Sequence, residues 1–471
     1  PPLAVLGTFS TQDQNAIEAR PGPMLAYAWT HQYTPYWPRP HGGVGDCGRV
    51  VDAAQQTRYA MTVATRSPNA NALVKEPTSL EETGLDLPFL ADLVLKAIYY
   101  NNAITAQRIT EILCLPYFNV IDRALYVLKR EELVEVSGSN GFGELGYQHA
   151  IAPKGLVRVH EVMERTTYLG PAPVTLEDYV AVVKAQAIGE VRVGPADIRA
   201  AMADLVLEEA TIDIIGQAVN TGRSLFLFGH PGNGKTVLAE HIVPLLGGHI
   251  FVPHCIVVDG QIIKVLDYHN HTPVTPTGSN RLDWDRRWVR CERPAIIVGG
   301  ELTLEALDLT YNPANRYYEA PLQMKANSGL FLVDDFGRQQ VHPRELLNRW
   351  IVPLEKRHDY LTLHTGKKIE VPFDQLIVFS TNLEPKDLVD EAFLRRIQNK
   401  VRIHNPTPEA FREIFRRQCR EFGVAFDQEV LIYLLREYYI KPKRELRACH
   451  PRDLLRILVG FARYHNSQPQ L

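Results

Sequence analysis

The eight residues Gly229-His230-Pro231-Gly232-Asn233-Gly234-Lys235-Thr236 fit the spacing G-x-x-x-x-G-K-[ST], whose chemistry is phosphate binding. Glycines let the backbone curl until successive N–H groups face one centre, and a helix starting there adds the positive end of its dipole. Lys235 can then reach the outer phosphates, and Thr236 is placed to hold Mg²⁺. Gly229, Pro231, Gly232, Asn233, Gly234, Lys235, Thr236 and Val237 are the residues expected to line a nucleotide.

Hydrolysis needs carboxylates as well, and Asp334-Asp335 ends an apolar run, Leu330-Phe331-Leu332-Val333. Asp334 is expected to hold the metal through water, and Asp335 to polarise the attacking water. Asn382 lies at the end of a third apolar run, where its amide could bond the water or the γ-phosphate. Arg395, Arg396 and Arg452 are candidates for stabilising charge on a transferred phosphoryl group.

The elements that must position these groups follow from the pattern around them. Ser224-Leu225-Phe226-Leu227-Phe228 reads as a buried strand leading into the loop, and Val237-Leu238-Ala239-Glu240-His241-Ile242 as the helix leaving it. Leu330 to Val333 and Leu376-Ile377-Val378-Phe379 read as further buried strands. Arg395-Arg396 falls in an amphipathic helical stretch that begins at Asp390-Glu391, and His450-Pro451-Arg452 opens a C-terminal helix.

Upstream, apolar periodicity sets in at Leu87 and predicts a helix carrying Leu90, Leu93, Val94, Ile98 and Tyr99 on one face. A second helix fits Thr105 to Cys114, and a third is expected to open at Pro116. Two β-like segments, Leu133-Val134-Glu135-Val136 and Tyr147-Gln148-His149-Ala150-Ile151, flank a glycine-rich turn, so three helices and a hairpin make a winged helix. Such a module can read DNA, but Asp122, Glu131 and Glu132 offset Arg123, Lys129 and Arg130, which favours protein docking. DNA remains possible and is not favoured.

The 471 residues suffice for two or three domains. Lys plus Arg (51) nearly balances Asp plus Glu (54), so the net charge of -3 gives no general attraction to nucleic acid or anionic lipid. No apolar run is long enough to span a bilayer and no secretory signal opens the chain, so a soluble cytoplasmic protein is expected. Six scattered cysteines without a C-x-x-C pair suit a reducing compartment. His269, His271 and Cys291 match no zinc spacing and read as polar surface residues.

Residues 1–78 are rich in proline, glycine and polar residues without sustained period and are expected to be disordered. Met61 opens a stretch that reads like an ordinary start, which would place residues 1–60 before the native N-terminus. The expected division continues with the winged helix at 79–168, a linker at 169–194 marked by Gly170-Pro171-Ala172-Pro173, the nucleotide domain at 195–405 and a helical lid at 406–471.

Taken in order, these motifs resemble the AAA+ ATPase superfamily over residues 195–471: Walker A, Walker B, a sensor-1 residue, an arginine finger and a sensor-2 arginine. Leu346-Leu347-Asn348-Arg349-Trp350 and a hairpin-like stretch from Tyr360 to Val371 resemble the pre-sensor-1 hairpin of MoxR-like ATPases and enhancer-binding activators. The resemblance implies an α/β three-layer P-loop fold with a helical lid, ATP and Mg²⁺ as cofactors, and a homo-oligomeric ring, six subunits being the expected number. By the same similarity Arg396 is a better finger than Arg395, and Arg452 takes the sensor-2 place.

Two departures stand out. Walker B ends Asp-Asp where Asp-Glu is commoner, which would slow hydrolysis. The activators' substrate loop lacks its glycine-and-phenylalanine signature here, leaving Tyr317 and Tyr318 as candidate substrate contacts. The expected activity is ATP-driven remodelling or disassembly of a protein partner of unknown identity. An ATP-dependent DNA regulator or translocase and a nucleotide-gated scaffold with little turnover are the alternatives.

Overall fold

The computed structural model describes residues 70–141, 143–275, 284–388 and 391–471, and the architecture is that of these residues. The proposed start at Met61 and most of the segment expected to be disordered lie outside the described residues, as do Cys47 and Asp390.

At the centre is a parallel sheet of β1 (Leu225–Phe228), β2 (Ala295–Val298), β3 (Leu330–Val333), β4 (Leu376–Thr381) and β5 (Asn399–Arg402), in the order β2-β3-β4-β1-β5. Burial follows position. The inner strands β3 and β4 are buried at every residue, and β1 at all but Phe228, whereas the edge strands β2 and β5 are only partly buried. Central strands covered on both faces need continuous apolar sequence, which is what Leu330 to Val333 and Leu376 to Phe379 supply.

Side chains alternate between the two faces. Leu225, Leu227, Leu330, Leu332, Leu376 and Val378 share one core with residues of the helices Pro195–Ala201, Glu209–Thr221 and Lys235–Leu246. Phe226, Phe331, Val333, Ile377 and Phe379 enter a second core with Phe336, Trp350 and Phe373. One face is thus aliphatic and the other largely aromatic, with Phe226 stacked on Phe379 at 5.9 Å between ring centroids. The protein is an α/β protein built on this sheet.

Residues 87–165 form helices Leu87–Asn101, Ala106–Leu113, Asp122–Arg130 and Pro153–Arg165, with a three-stranded antiparallel sheet in which Tyr147–Ile151 is central. The helix expected to open at Pro116 begins at Asp122 instead, because Phe118 is extended and Asn119 turns left-handed at φ 63°. Residues 70–78, expected to be disordered, carry the helix Ala70–Leu73 and the buried Val74. The expected linker at 169–194 is likewise built into the body. Ala172 is buried, Val174–Thr175 pairs with Cys255–Val258, and the helix Leu176–Ala185 buries Tyr179, Val182 and Val183.

A second five-stranded sheet joins Thr310–Asn312, Tyr317–Glu319, Gln261–Lys264, Cys255–Val258 and Val174–Thr175. Its core is shared with the antiparallel pair His249–Pro253 and Trp288–Glu292 and with the hairpin His358–Thr362 and Lys368–Pro372. His271 and Cys291, read from sequence as surface residues, are buried here. The His271 ring takes a hydrogen bond from the Asp267 amide at 3.0 Å, and its Nε2 lies 2.9 Å from the Lys325 carbonyl.

Tyr318 is also core, 1% exposed, and pairs with His364 of the hairpin. Tyr317 meets Tyr168 edge-on at 5.8 Å, and Arg316 and Asn315 bond the chain near residues 163–167. The candidate substrate loop is therefore packed: Tyr318 is not presented for substrate contact in this arrangement, and Tyr317 is half-buried. None of the described helices is long and apolar enough to cross a membrane.

The C-terminal residues form helices Pro408–Glu421, Gln428–Leu435 and His450–Tyr464 around Phe411, Phe415, Leu431, Tyr439 and Leu455. Thr407 caps the first by accepting from the Ala410 amide, and Asp427 caps the second through the Glu429 and Val430 amides.

Candidate functional site

The chain leaves β1, crosses to the far edge at β2, returns through β3 and β4, and finally adds β5 on the other side of β1. The strand order therefore reverses beside β1, and in open parallel sheets ligands bind outside the carboxyl ends of the strands at such a point. The loop 229–236 follows β1, Asp334-Asp335 follows β3, and Asn382 follows β4, so all of them lie at that end.

The loop needs its glycines. Gly229, Gly232 and Gly234 have φ of 137°, 80° and 80°, in the region that disfavours side chains. A Cβ at Gly229 would fall 2.3 Å from the Ile403 carbonyl oxygen. Gly234 leads into the helix Lys235–Leu246, and the first amides of a helix have no partner within it.

Lys235 is 7% exposed, and its Nζ donates to the Gly229 and His230 carbonyls at 3.0 Å and to Asn382 Oδ1 at 2.7 Å. Burial lowers its proton affinity, Asp334 and Asp335 raise it, and Arg447 lowers it again. Asn382 Nδ2 donates to Asp335 Oδ1 at 3.1 Å. Thr236 Oγ1 donates to Asp334 Oδ2 at 2.8 Å, and Asp334 Oδ1 accepts from the Asp335 amide at 3.0 Å. Asp335 is exposed and holds φ 48°, a left-handed conformation uncommon for a residue with a side chain. Gln339 braces this turn by donating to the Asp334 carbonyl at 2.7 Å.

The residues present fit a nucleotide with a magnesium ion. Glycines in positive-φ conformations that disfavour side chains shape the loop, and hard oxygen ligands from Thr236 and Asp334 meet beside it. Magnesium is usually held by one or two carboxylates plus substrate phosphates and waters, so two protein oxygens are sufficient.

A cleft of about 260 Å³ adjoins the loop, lined by Leu205, Leu207, Gly232, Val237, Ile414 and Arg452 among others. Arg452 is about half exposed at its edge, with Nε 3.7 Å from Asp453. The C-terminal helices are tied to the loop directly. The Cys449 amide donates to the Gly232 carbonyl at 2.8 Å, and the Ala448 amide to Asn233 Oδ1 at 3.2 Å.

A family model described as a domain of unknown function (DUF8689) matches residues 407–471, which are these C-terminal helices. No curated protein matches the chain. Two solved structures of NtrX from Brucella abortus, one of them in complex with ADP, are similar at 15% and 14% identity, each with a TM-score of 0.35. The alignments cover 59% and 76% of this chain, which spans 54% and 66% of the length of those structures. Likeness at that level supports no conclusion about function, which has to come from the residues of the site.

The remaining arginines are not part of this cluster. Arg396 Nε bonds Glu355 at 2.6 Å, and its carbonyl accepts from Ser224 Oγ at 3.4 Å. Ser224 precedes β1, so Arg396 sits at the opposite end of the strand from the loop, on the order of 13 Å away at 3.3 Å per residue. Arg395 is exposed nearby. Sequence reasoning missed Asn405, Glu445 and Arg447. Asn405 Oδ1 accepts from Asn233 at 2.8 Å and from Arg447 Nη1 at 2.6 Å, while Arg447 Nη2 bonds Glu445 at 2.6 Å. No motif spacing marks these residues; the bare presence of a second arginine five positions before Arg452 was the one available signal.

Proposed function

We propose that this chain is a Mg²⁺-dependent ATPase of the AAA+ type that works as a ring and remodels a protein partner. The observation that carries the reading is the convergence of Lys235, Thr236, Asp334, Asp335 and Asn382 at the carboxyl ends of three neighbouring strands, linked by bonds of 2.7 to 3.1 Å. They come from three segments far apart in sequence, and that cluster has the composition that phosphoryl transfer needs.

In this reading the loop amides and Lys235 hold the phosphates, and Thr236 with Asp334 holds the metal. Bound magnesium neutralises charge on the phosphate oxygens. Asp335 takes the proton of the attacking water, and Asn382 orients that water or the γ-phosphate. Lys235 already uses the three donors of its ammonium group, so a phosphate oxygen must replace one of the present acceptors. Arg452, at the edge of the cleft, is the lid arginine of the site.

Arg395 and Arg396 lie away from their own loop, which suits an arginine that completes a neighbouring subunit's site. Arg396 would have to exchange Glu355 for that role. A ring of six and the winged-helix reading of residues 79–168 belong to the same proposal. Protein docking is favoured for that module because Asp122, Glu131 and Glu132 offset Arg123, Lys129 and Arg130, which leaves little net positive charge for a phosphate backbone.

Equilibrium binding of a fluorescent ATP analogue tests the site. Wild type should bind it with Mg²⁺ dependence and lose it on Lys235→Ala, whereas equal binding by both proteins would remove the reading.

A further inference from the structure

Arg447 is a cation of the C-terminal region that the site's motifs leave unassigned and that lies beside the phosphate loop. Its side chain is 19% exposed, and both terminal nitrogens are engaged, Nη1 by Asn405 and Nη2 by Glu445, each at 2.6 Å. Asn405 is in turn bonded to Asn233 of the phosphate loop at 2.8 Å. One amide therefore separates the guanidinium from the loop.

Two further observations place Arg447 against the site. A Cβ built on Gly232 would lie 4.0 Å from Arg447 Cβ. Glu445, the acid that holds Arg447, also faces the loop: it accepts from Asn405 Nδ2 at 3.3 Å and lies 4.0 Å from His230 Nε2. A carboxylate thus stands beside the loop, bound by donors of the kind a phosphate would use.

We propose that Arg447 is a phosphate-contacting residue of this site, held by Glu445 in the present arrangement and transferred to the outer phosphates of a bound nucleoside triphosphate. This rests on the nucleotide-site reading and adds to it a named ligand contact. The exchange is chemically favourable. Glu445 is 56% exposed, and ion pairs open to solvent are weak. A polyphosphate offers more charge and accepts from a planar guanidinium in the bidentate manner that arginine suits. Arg452 differs, being half exposed and next to its own Asp453.

The two partners should respond with opposite sign. ATP and ADP affinities are measured by calorimetry for wild type, Arg447→Ala, Arg447→Lys, Glu445→Gln and Lys235→Ala, with melting temperatures alongside. Arg447→Ala should weaken ATP about tenfold or more and ADP less, and Arg447→Lys should recover part of the loss. Glu445→Gln, which keeps the shape but releases the arginine, should tighten ATP by about threefold. Wild-type ATP affinity in Arg447→Ala would overturn the proposal. So would Glu445→Gln that weakens ATP as Arg447→Ala does, since the trio would then be only a brace between helices and loop. If Arg447→Ala fails to fold, the sign of the Glu445→Gln effect decides. Lys235→Ala separates the two levels: its wild-type affinity sinks the site itself, whereas its loss beside an intact Arg447→Ala sinks only this inference.

Discussion

Lys235 Nζ donates to Asn382 Oδ1 at 2.7 Å, which joins the cation after β1 to the amide after β4. Asn382 passes the connection on to Asp335 at 3.1 Å. One side chain thus reports on both the phosphate-binding and the water-activating ends of the proposed site.

Replacing Asn382 with alanine should therefore separate binding from turnover. Lys235 keeps its two carbonyl partners, while Asp335 loses the group that orients it. ATP affinity should stay within about threefold, and turnover should fall roughly a hundredfold, the scale of losing one preorganised donor. Steady-state kinetics with a separate binding isotherm checks this, and equal losses in both would show that Asn382 only supports the loop.

Asp335 combines a carboxylate with a backbone at φ 48°, and two variants divide these properties. Asp335→Asn tolerates the left-handed conformation and can still accept from Asn382, so folding should be unchanged while turnover drops about a hundredfold or more. Asp335→Gly should raise stability by about 1 kcal/mol, since glycine adopts this conformation without strain, and should be inactive. Denaturant unfolding and phosphate release measure the two effects. Lower stability in Asp335→Gly would mean that the turn is not strained.

Much of this site was legible in the sequence because its chemistry is local to strand ends. Each apolar run that delivers Lys235, Asp334 or Asn382 is wholly or almost wholly buried, so its composition alone marked it as a buried strand. The second sheet was not legible. Its strands are two to four residues long, and Val174–Thr175 pairs with residues some eighty positions later, a contact no local period encodes. The same pairing turned an apparent Gly-Pro linker into packed structure. Tyr318 misled for a related reason: an aromatic in a polar stretch resembles an exposed contact until the distant His364 is seen beside it. Arg447 escaped because its role depends on Asn405, which lies in no motif.

Gly229 is a steric requirement. A Cβ there would meet the Ile403 carbonyl oxygen at 2.3 Å, and the residue also has φ 137°. Gly229→Ala should destabilise the protein by about 1–3 kcal/mol and abolish nucleotide binding. Thermal unfolding of the variant with and without ATP tests both, and an unshifted midpoint would show that β5 can move away from the loop.

Lys96 lies outside the nucleotide site, 1% exposed, with Nζ 3.4 Å from the Thr166 carbonyl. Burial pushes its pKa down to about 8, against smaller opposing effects of Asp92 and Cys255. The folded value lies below that of the unfolded chain, so the unfolded state binds more protons. Stability should therefore rise as pH increases from about 8 towards about 10.4, the ordinary lysine value. Below pH 8 the full penalty remains, so Lys96→Met should stabilise the protein at pH 7 by about 1–3 kcal/mol and flatten that rise. Urea unfolding of both proteins at pH 7 and pH 10 measures the difference.

The most direct measurement is phosphate release from Mg²⁺-ATP by the wild-type chain over a range of protein concentration, beside Lys235→Ala and Asp335→Asn. A ring ATPase with this site should show turnover whose specific rate climbs with concentration as subunits assemble, with both variants inactive throughout. No release by wild type at any concentration, or release that survives Lys235→Ala, would contradict it.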